Sequence, residues 1–231
     1  MKLLKSINYE NLLLLLAAQL IFRYGFLEQQ ENLPLALSDK LYVLFMLATV
    51  LIAAGGLVIE KVSGNEKNNA VITEDQGYNI FIGCNLVALT LGGYLSYHIG
   101  NLTFISGFII GSGMLYIAAT NWRTTLLVPN LLVSLSVALS IIMIGIFNFY
   151  PFMQMQGHEF LTTIFEVLLD YSYFAFVVTF MLTLVNDLKN TDADYNSGKN
   201  TLPIVLGRER AAKILFFVTI IPAAMILYYA N

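Results

Sequence analysis

The chain has 231 residues, of which 58% are hydrophobic and 12% charged, against roughly 25% charged in a soluble globular domain. Between Asp75 and Glu159 the one charged residue is Arg123, so a soluble domain with charge along its whole surface is excluded and a polytopic membrane protein is indicated. The net charge of −3 argues against nucleic acid as a partner, and a lone cysteine, Cys84, excludes an intramolecular disulfide or a cysteine metal cluster.

The N-terminal stretch MKLLKSINYENLLLLLAAQLIF has the lysines and leucines of a signal peptide. No small-x-small cleavage site follows, and the apolar run continues to Arg23 and Tyr24, so it reads as a retained first span. Because a bilayer core takes about 20 apolar residues per helix, seven spans are expected, at about 9–27, 41–59, 78–97, 102–120, 126–150, 161–186 and 211–229. The runs are too long and too continuous for barrel strands. The fold class expected is an all-α membrane protein, a multi-pass helical bundle around a cytoplasmic-side cavity, formed by residues 1–231 as a single domain. Along these spans Gly55, Gly56, Gly92, Gly93, Gly107 and Gly111 read as close helix contacts, the last two with small-xxx-small spacing. Asn101-Leu102-Thr103 matches a glycosylation sequon in a very short loop and reads as chance.

The basic residues set the orientation. Lys2, Lys5, Lys61, Lys67, Arg123, Lys189, Lys199, Arg208, Arg210 and Lys213 fall on the side of the N-terminus and the even-numbered loops, while Arg23 and Lys40 fall on the other. Positive residues collect on the cytoplasmic side, which predicts a cytoplasmic N-terminus. The membrane expected is a bacterial cytoplasmic membrane.

The polar segment after span six is NDLKNTDADYNSGKNTLP. Asp187, Asn190 and Asp194 stand at i, i+3 and i+7, so a helix running past the membrane edge would put them on one face. Gly198 would break that helix and Pro203 would start another. Oxygen ligands at a membrane surface suit magnesium, which takes one or two carboxylates and keeps other positions for water and phosphate. Lys199, Arg208 and Arg210 follow closely and could meet phosphate. On spacing alone, an ordinary solvated loop is the simpler reading.

The longer stretch FAFVVTFMLTLVNDLKNTDADYNSGKNTLPIVLGRERAAKI resembles the second aspartate motif of the UbiA-type intramembrane prenyltransferases. Asp187, Asp194, Gly198, Lys199, Thr201, Leu202, Pro203 and Gly207 match that motif in order and spacing, with Asn190 in place of its middle aspartate and Asn186 in place of a lysine. Weaker likenesses lie at Asn11 in the first span, at TNWRTTLLVPNLLVSL with Arg123 as the basic residue, and at the end of the second span. In that last segment the family carries its first aspartate motif. Here the register offers Ile59, Glu60, Ser63 and Lys67, so one acid of three is retained. The family typically has nine spans against the seven counted here.

The resemblance implies a magnesium-dependent transferase. It would move a prenyl group from an isoprenoid diphosphate at the water side to an acceptor the sequence does not identify, with the apolar tail between helices in the bilayer. In the family both motifs hold magnesium ions. Where this chain departs from that pattern, metal contacts are expected from Asp187, Asn190, Asp194 and Glu60, giving one magnesium site in preference to two. Diphosphate contacts are expected from Asn11, Lys67, Arg123 and Lys199, the three basic residues standing in for the second metal. Two other readings stay open: a catalytically inactive, isoprenoid-binding relative, and a small ion- or proton-coupled transporter using Glu166 and Asp170. Those two carboxyls lie four apart inside span six, where ionisable groups are costly and suspect for function. His98 and His158 lie near span ends, too far apart in sequence to suggest a metal pair. A retinal-type protein is disfavoured because span seven has no mid-membrane lysine.

Overall fold

A computed structural model describes residues 9–31, 33–63, 72–121, 125–153 and 159–229. All regular structure among the described residues is helical: α1 (Tyr9–Leu20), α2 (Asp39–Ser63), α3 (Glu74–His98), α4 (Ile105–Thr120), α5 (Val128–Met153), α6 (Glu159–Lys189), α7 (Thr191–Ser197), α8 (Leu202–Leu206) and α9 (Arg208–Tyr229), with a π-helical turn Ile21–Phe26 and short 3-10 turns at Leu27–Gln29 and Leu102–Phe104. Seven helical segments are long and apolar enough to cross a membrane, and they coincide with the seven spans expected. The protein is an all-α multi-pass bundle whose environment is a lipid bilayer.

Local chemistry accounts for the element ends. Thr73 starts α3 with a capping box: its hydroxyl accepts the Gln76 amide at 3.3 Å, and the Gln76 side chain accepts the Thr73 amide at 3.2 Å. Asn101 caps the turn before α4, its side-chain oxygen accepting from the Thr103 amide at 3.0 Å while its amide donates to the Tyr150 hydroxyl at 3.0 Å. The sequon asparagine is thus a structural cap.

Helix α2 packs against α3 and α4, α5 against α4 and α6, and α9 against α6 and α8, while α1 lies along α2 with a smaller contact to α5. Small residues permit the close crossings. A Cβ at Gly92 would lie 2.6 Å from the Phe108 ring, and one at Gly107 would lie 2.5 Å from the Met143 sulfur. At Gly111 the nearest atom would be at an ordinary 3.9 Å, so only Gly107 of that pair is a tight contact. Phe108 in turn meets Phe45 and Phe147 edge-on or tilted, at centroid distances of 5.8 and 5.6 Å, and these rings fill the largest apolar core. Smaller clusters hold the opposite end: Ile59, Val62, Ile72 and Ala119 join α2, α3 and α4, and Leu184, Leu202 and Ala211 fasten α8 and α9 to α6.

A buried polar network ties α1 to α2 and α5 at the end away from Glu60. The π-helical turn carries Arg23, whose side chain is 4% exposed. Its guanidinium donates to Glu28 at 3.1 Å, to the Asn148 side-chain oxygen at 2.7 Å and to the Leu37 carbonyl at 2.7 Å, and lies 5.2 Å from the Tyr42 ring centre. Below it, the Tyr42 hydroxyl donates to the Gln19 carbonyl at 2.6 Å and the Gln19 amide donates to Thr49 at 2.9 Å. A planar cation with a fork of donors suits three acceptors held by three chain segments. Sequence reading assigns Arg23 only to the less basic side of the membrane, and gives no sign of this network beyond an arginine and an asparagine at the ends of apolar runs.

Candidate functional site

The site is built where α6 leaves the bundle. At 31 residues, α6 is about 46 Å long, against about 30 Å of hydrocarbon, and its last turn carries Asn186, Asp187 and Lys189. The helical path then bends without breaking: Asn190 closes α6, its amide bonding to Asn186 O at 2.9 Å, and Asp194 N bonds to Asn190 O at 2.9 Å to open α7. Gly198 ends α7 at φ +74°. There Lys199 N bonds to Asp194 O at 3.0 Å and Gly198 N to Tyr195 O at 3.1 Å, the paired bonds of a Schellman cap. Glycine adopts that left-handed φ without a Cβ clash. The turn folds Lys199 back over the helix it has just left.

That reversal sets the electrostatics. The Lys199 ammonium lies 3.5 Å from an Asp194 carboxylate oxygen and 3.9 Å from a Glu60 carboxylate oxygen. It therefore joins the end of α2 to α7. The Asp194 side chain is 10% exposed and the Glu60 side chain 51%, so the Asp194 pairing is the less screened of the two. Burial raises the Asp194 carboxyl above the ordinary aspartate range, and the Lys199 ammonium opposes part of that rise. Asp187 sits within the same field, interacting with Asp194, Lys199 and Glu60. One of its oxygens accepts the Asn130 side-chain amide from α5 at 2.9 Å. Downstream, Leu202 and Pro203 are buried, Leu202 against α6, and the Thr201 hydroxyl is buried without a hydrogen-bond partner among the described residues.

Of the residues singled out from the sequence, Glu60, Asp187, Asp194 and Lys199 come together. The Asn190 side chain makes no bond to them among the described residues: its amide donates to Asn186 at 3.0 Å. Asn11 is exposed on α1 and makes no hydrogen bond among the described residues. The antiparallel register fixed by Gln19 and Thr49 sets it toward the Glu60 end of α2. Lys67, Arg123 and His158 lie outside the described residues. Arg208 pairs with Asp192 at 2.7 Å on the surface, and Lys213 with Glu209 at 2.7 Å. Glu166 and Asp170 are exposed on α6 without an ion pair among the described residues, and His98 is exposed beside Tyr94. Asn130 is the site residue that sequence reading missed; its signal was only an amide in an apolar run, two residues after the start of α5.

Among the described residues no group of three or more His, Cys, Asp or Glu converges on a metal position. The donor set near Lys199 consists of carboxylate oxygens. Magnesium is usually held by one or two carboxylates with water and phosphate completing the shell, and this donor chemistry is of that kind. Comparison of the chain with protein-family models, with curated proteins and with solved structures finds no match in any of the three.

Proposed function

We propose that this cluster binds the diphosphate of an isoprenoid diphosphate, and that the protein is a UbiA-like prenyltransferase passing the prenyl group to an acceptor. The observation that carries this reading is the Lys199 bridge between Glu60 and Asp194. It brings the segment resembling the family's first aspartate motif against the segment resembling its second, which sequence spacing alone leaves separate. The N-terminus and the cluster are proposed to face the cytoplasm of a bacterial cell, following the basic residues.

On this reading Asp187 and Asp194 would hold one magnesium, with Asn190 and Glu60 as the further oxygen donors nearest in sequence or space. When bound, magnesium draws charge from a departing diphosphate. The chain's own groups do the rest. Lys199 is a point charge that can turn from its carboxylates to phosphate oxygens. Lys67 and Arg123 are proposed to add positive charge from the neighbouring loops. The apolar helices accept the tail, so the charged head stays at the water side. The allylic carbon–oxygen bond breaks and its electron pair leaves with pyrophosphate. The acceptor nucleophile forms the new bond to carbon and gives up a proton to water.

The test uses purified protein in detergent, an allylic prenyl diphosphate and magnesium, with pyrophosphate release as the readout. Release that requires magnesium and is abolished by Asp187→Asn supports transfer. Diphosphate binding without release converts the reading to an isoprenoid-binding relative. Glu166 and Asp170, exposed on α6 without an ion pair among the described residues, keep a transporter as the second reading. Ion flux in vesicles that is lost with Asp170→Asn, together with no diphosphate binding, would replace the first reading by that one.

A further inference from the structure

Asn130 is the third residue of α5, is 7% exposed, and reaches across to α6. A buried amide is costly unless it is hydrogen-bonded, and this one donates to a carboxylate. Its side-chain amide donates to one Asp187 carboxylate oxygen at 2.9 Å. Its backbone carbonyl accepts the hydroxyl of the fully buried Ser134 at 2.7 Å. The other Asp187 oxygen has no hydrogen-bond partner among the described residues. The Thr191 hydroxyl, 3.1 Å away, bonds to the Asp187 backbone carbonyl and leaves the carboxylate alone.

The two acids are therefore treated differently. Asp194 lies 3.5 Å from the Lys199 ammonium, whereas the hydrogen bond that Asp187 accepts comes from a neutral amide, which orients it. Groups that hydrogen-bond a ligating carboxylate fix its orientation toward a metal. We infer that Asn130 is a positioning residue that holds Asp187 with one oxygen committed to α5 and the other presented to a divalent cation. The inference rests on the magnesium reading above. It adds a residue that neither the aspartate spacing nor the resemblance assigns.

The experiment measures Mn2+ binding, as a probe for magnesium, by loss of the free-ion electron paramagnetic resonance signal on purified full-length protein. Ligand-free thermal unfolding is recorded for each variant. Asn130→Leu keeps the shape and removes the donor; it should weaken Mn2+ binding by about 10-fold or more, while Asn130→Gln stays within about threefold of wild type. In an Asp187→Asn background, Asn130→Leu should produce no further loss, because its effect passes through Asp187. If Asn130→Leu does not fold, Asn130→Ser carries the same comparison. Wild-type affinity retained in Asn130→Leu, with Asp187→Asn impaired, would overturn this inference and leave the metal reading standing. An equal further loss in the Asp187→Asn background would do the same. A wild-type protein that takes up no Mn2+ would overturn the metal reading and this inference with it.

Discussion

Replacing Arg23 by methionine tests whether the network at the far end of the bundle holds α1 in place. The side chain is 4% exposed and donates to Glu28, Asn148 and the Leu37 carbonyl. Methionine preserves much of the volume and removes every donor. Glu28, with 36% of its side chain exposed, can rehydrate. The Leu37 carbonyl cannot do so easily, and a buried acceptor left unmatched costs about 1–3 kcal/mol, while the Asn148 oxygen keeps only its longer bond from the Leu37 amide at 3.4 Å. One stranded acceptor and one weakened one place the loss at about 2–3 kcal/mol, at the lower edge of the range of about 3–5 kcal/mol for removing one partner of a buried ionic network. Arg23→Lys should recover only part of this, since a point charge cannot serve three acceptors at once. As a control, Lys213→Met removes an exposed pair with Glu209 and should change stability by less than about 0.5 kcal/mol. Denaturant unfolding in detergent micelles, followed by helical circular dichroism, measures all three. A loss below about 1 kcal/mol for Arg23→Met would show that the network does not anchor α1.

Three further outcomes follow from the site. Gly198→Ala forces an L side chain to φ +74° and should cost about 1–2 kcal/mol; the same unfolding assay measures this, and it should also weaken diphosphate binding by displacing Lys199. Burial raises the Asp194 carboxyl, so the folded state holds that proton more tightly than the unfolded chain. The stability this contributes is full below the unfolded value of about 3.9 and is lost as pH rises through the higher folded value. The melting-temperature difference between Asp194→Asn and wild type should therefore depend on pH across that window and level off on either side; a constant difference from pH 4 to 8 would contradict the burial of Asp194. Single cysteines placed at Asn196 and at Glu31 should react with an impermeant maleimide from opposite faces of the membrane, Asn196 from the cytoplasm; labelling of both from one face would refute the topology.

Length and hydropathy made the seven spans legible, because about 20 apolar residues per crossing is a strong and nearly context-free constraint. The turn at Gly198 and the restart at Pro203 were legible too, since backbone conformations that exclude most side chains leave a mark on residue type. The reach of Lys199 to Glu60 was not legible: these residues are far apart in sequence, and their meeting depends on how α2 and α6 end at the same level. Asn130 and Arg23 escaped for the same reason, as a single amide or guanidinium in an apolar run has no periodicity and its partner lies on another helix. For Asn190 the helical spacing was legible, but the bond its amide donates to Asn186 was not.

The central claim is that Glu60, Asp187, Asp194 and Lys199 form one diphosphate site, and equilibrium binding of a labelled prenyl diphosphate to the purified protein tests it most directly. The account predicts saturable binding that strengthens with magnesium and falls at least tenfold in Asp194→Asn and in Lys199→Ala, with both variants folded. Binding that is indifferent to magnesium and to both substitutions would contradict it.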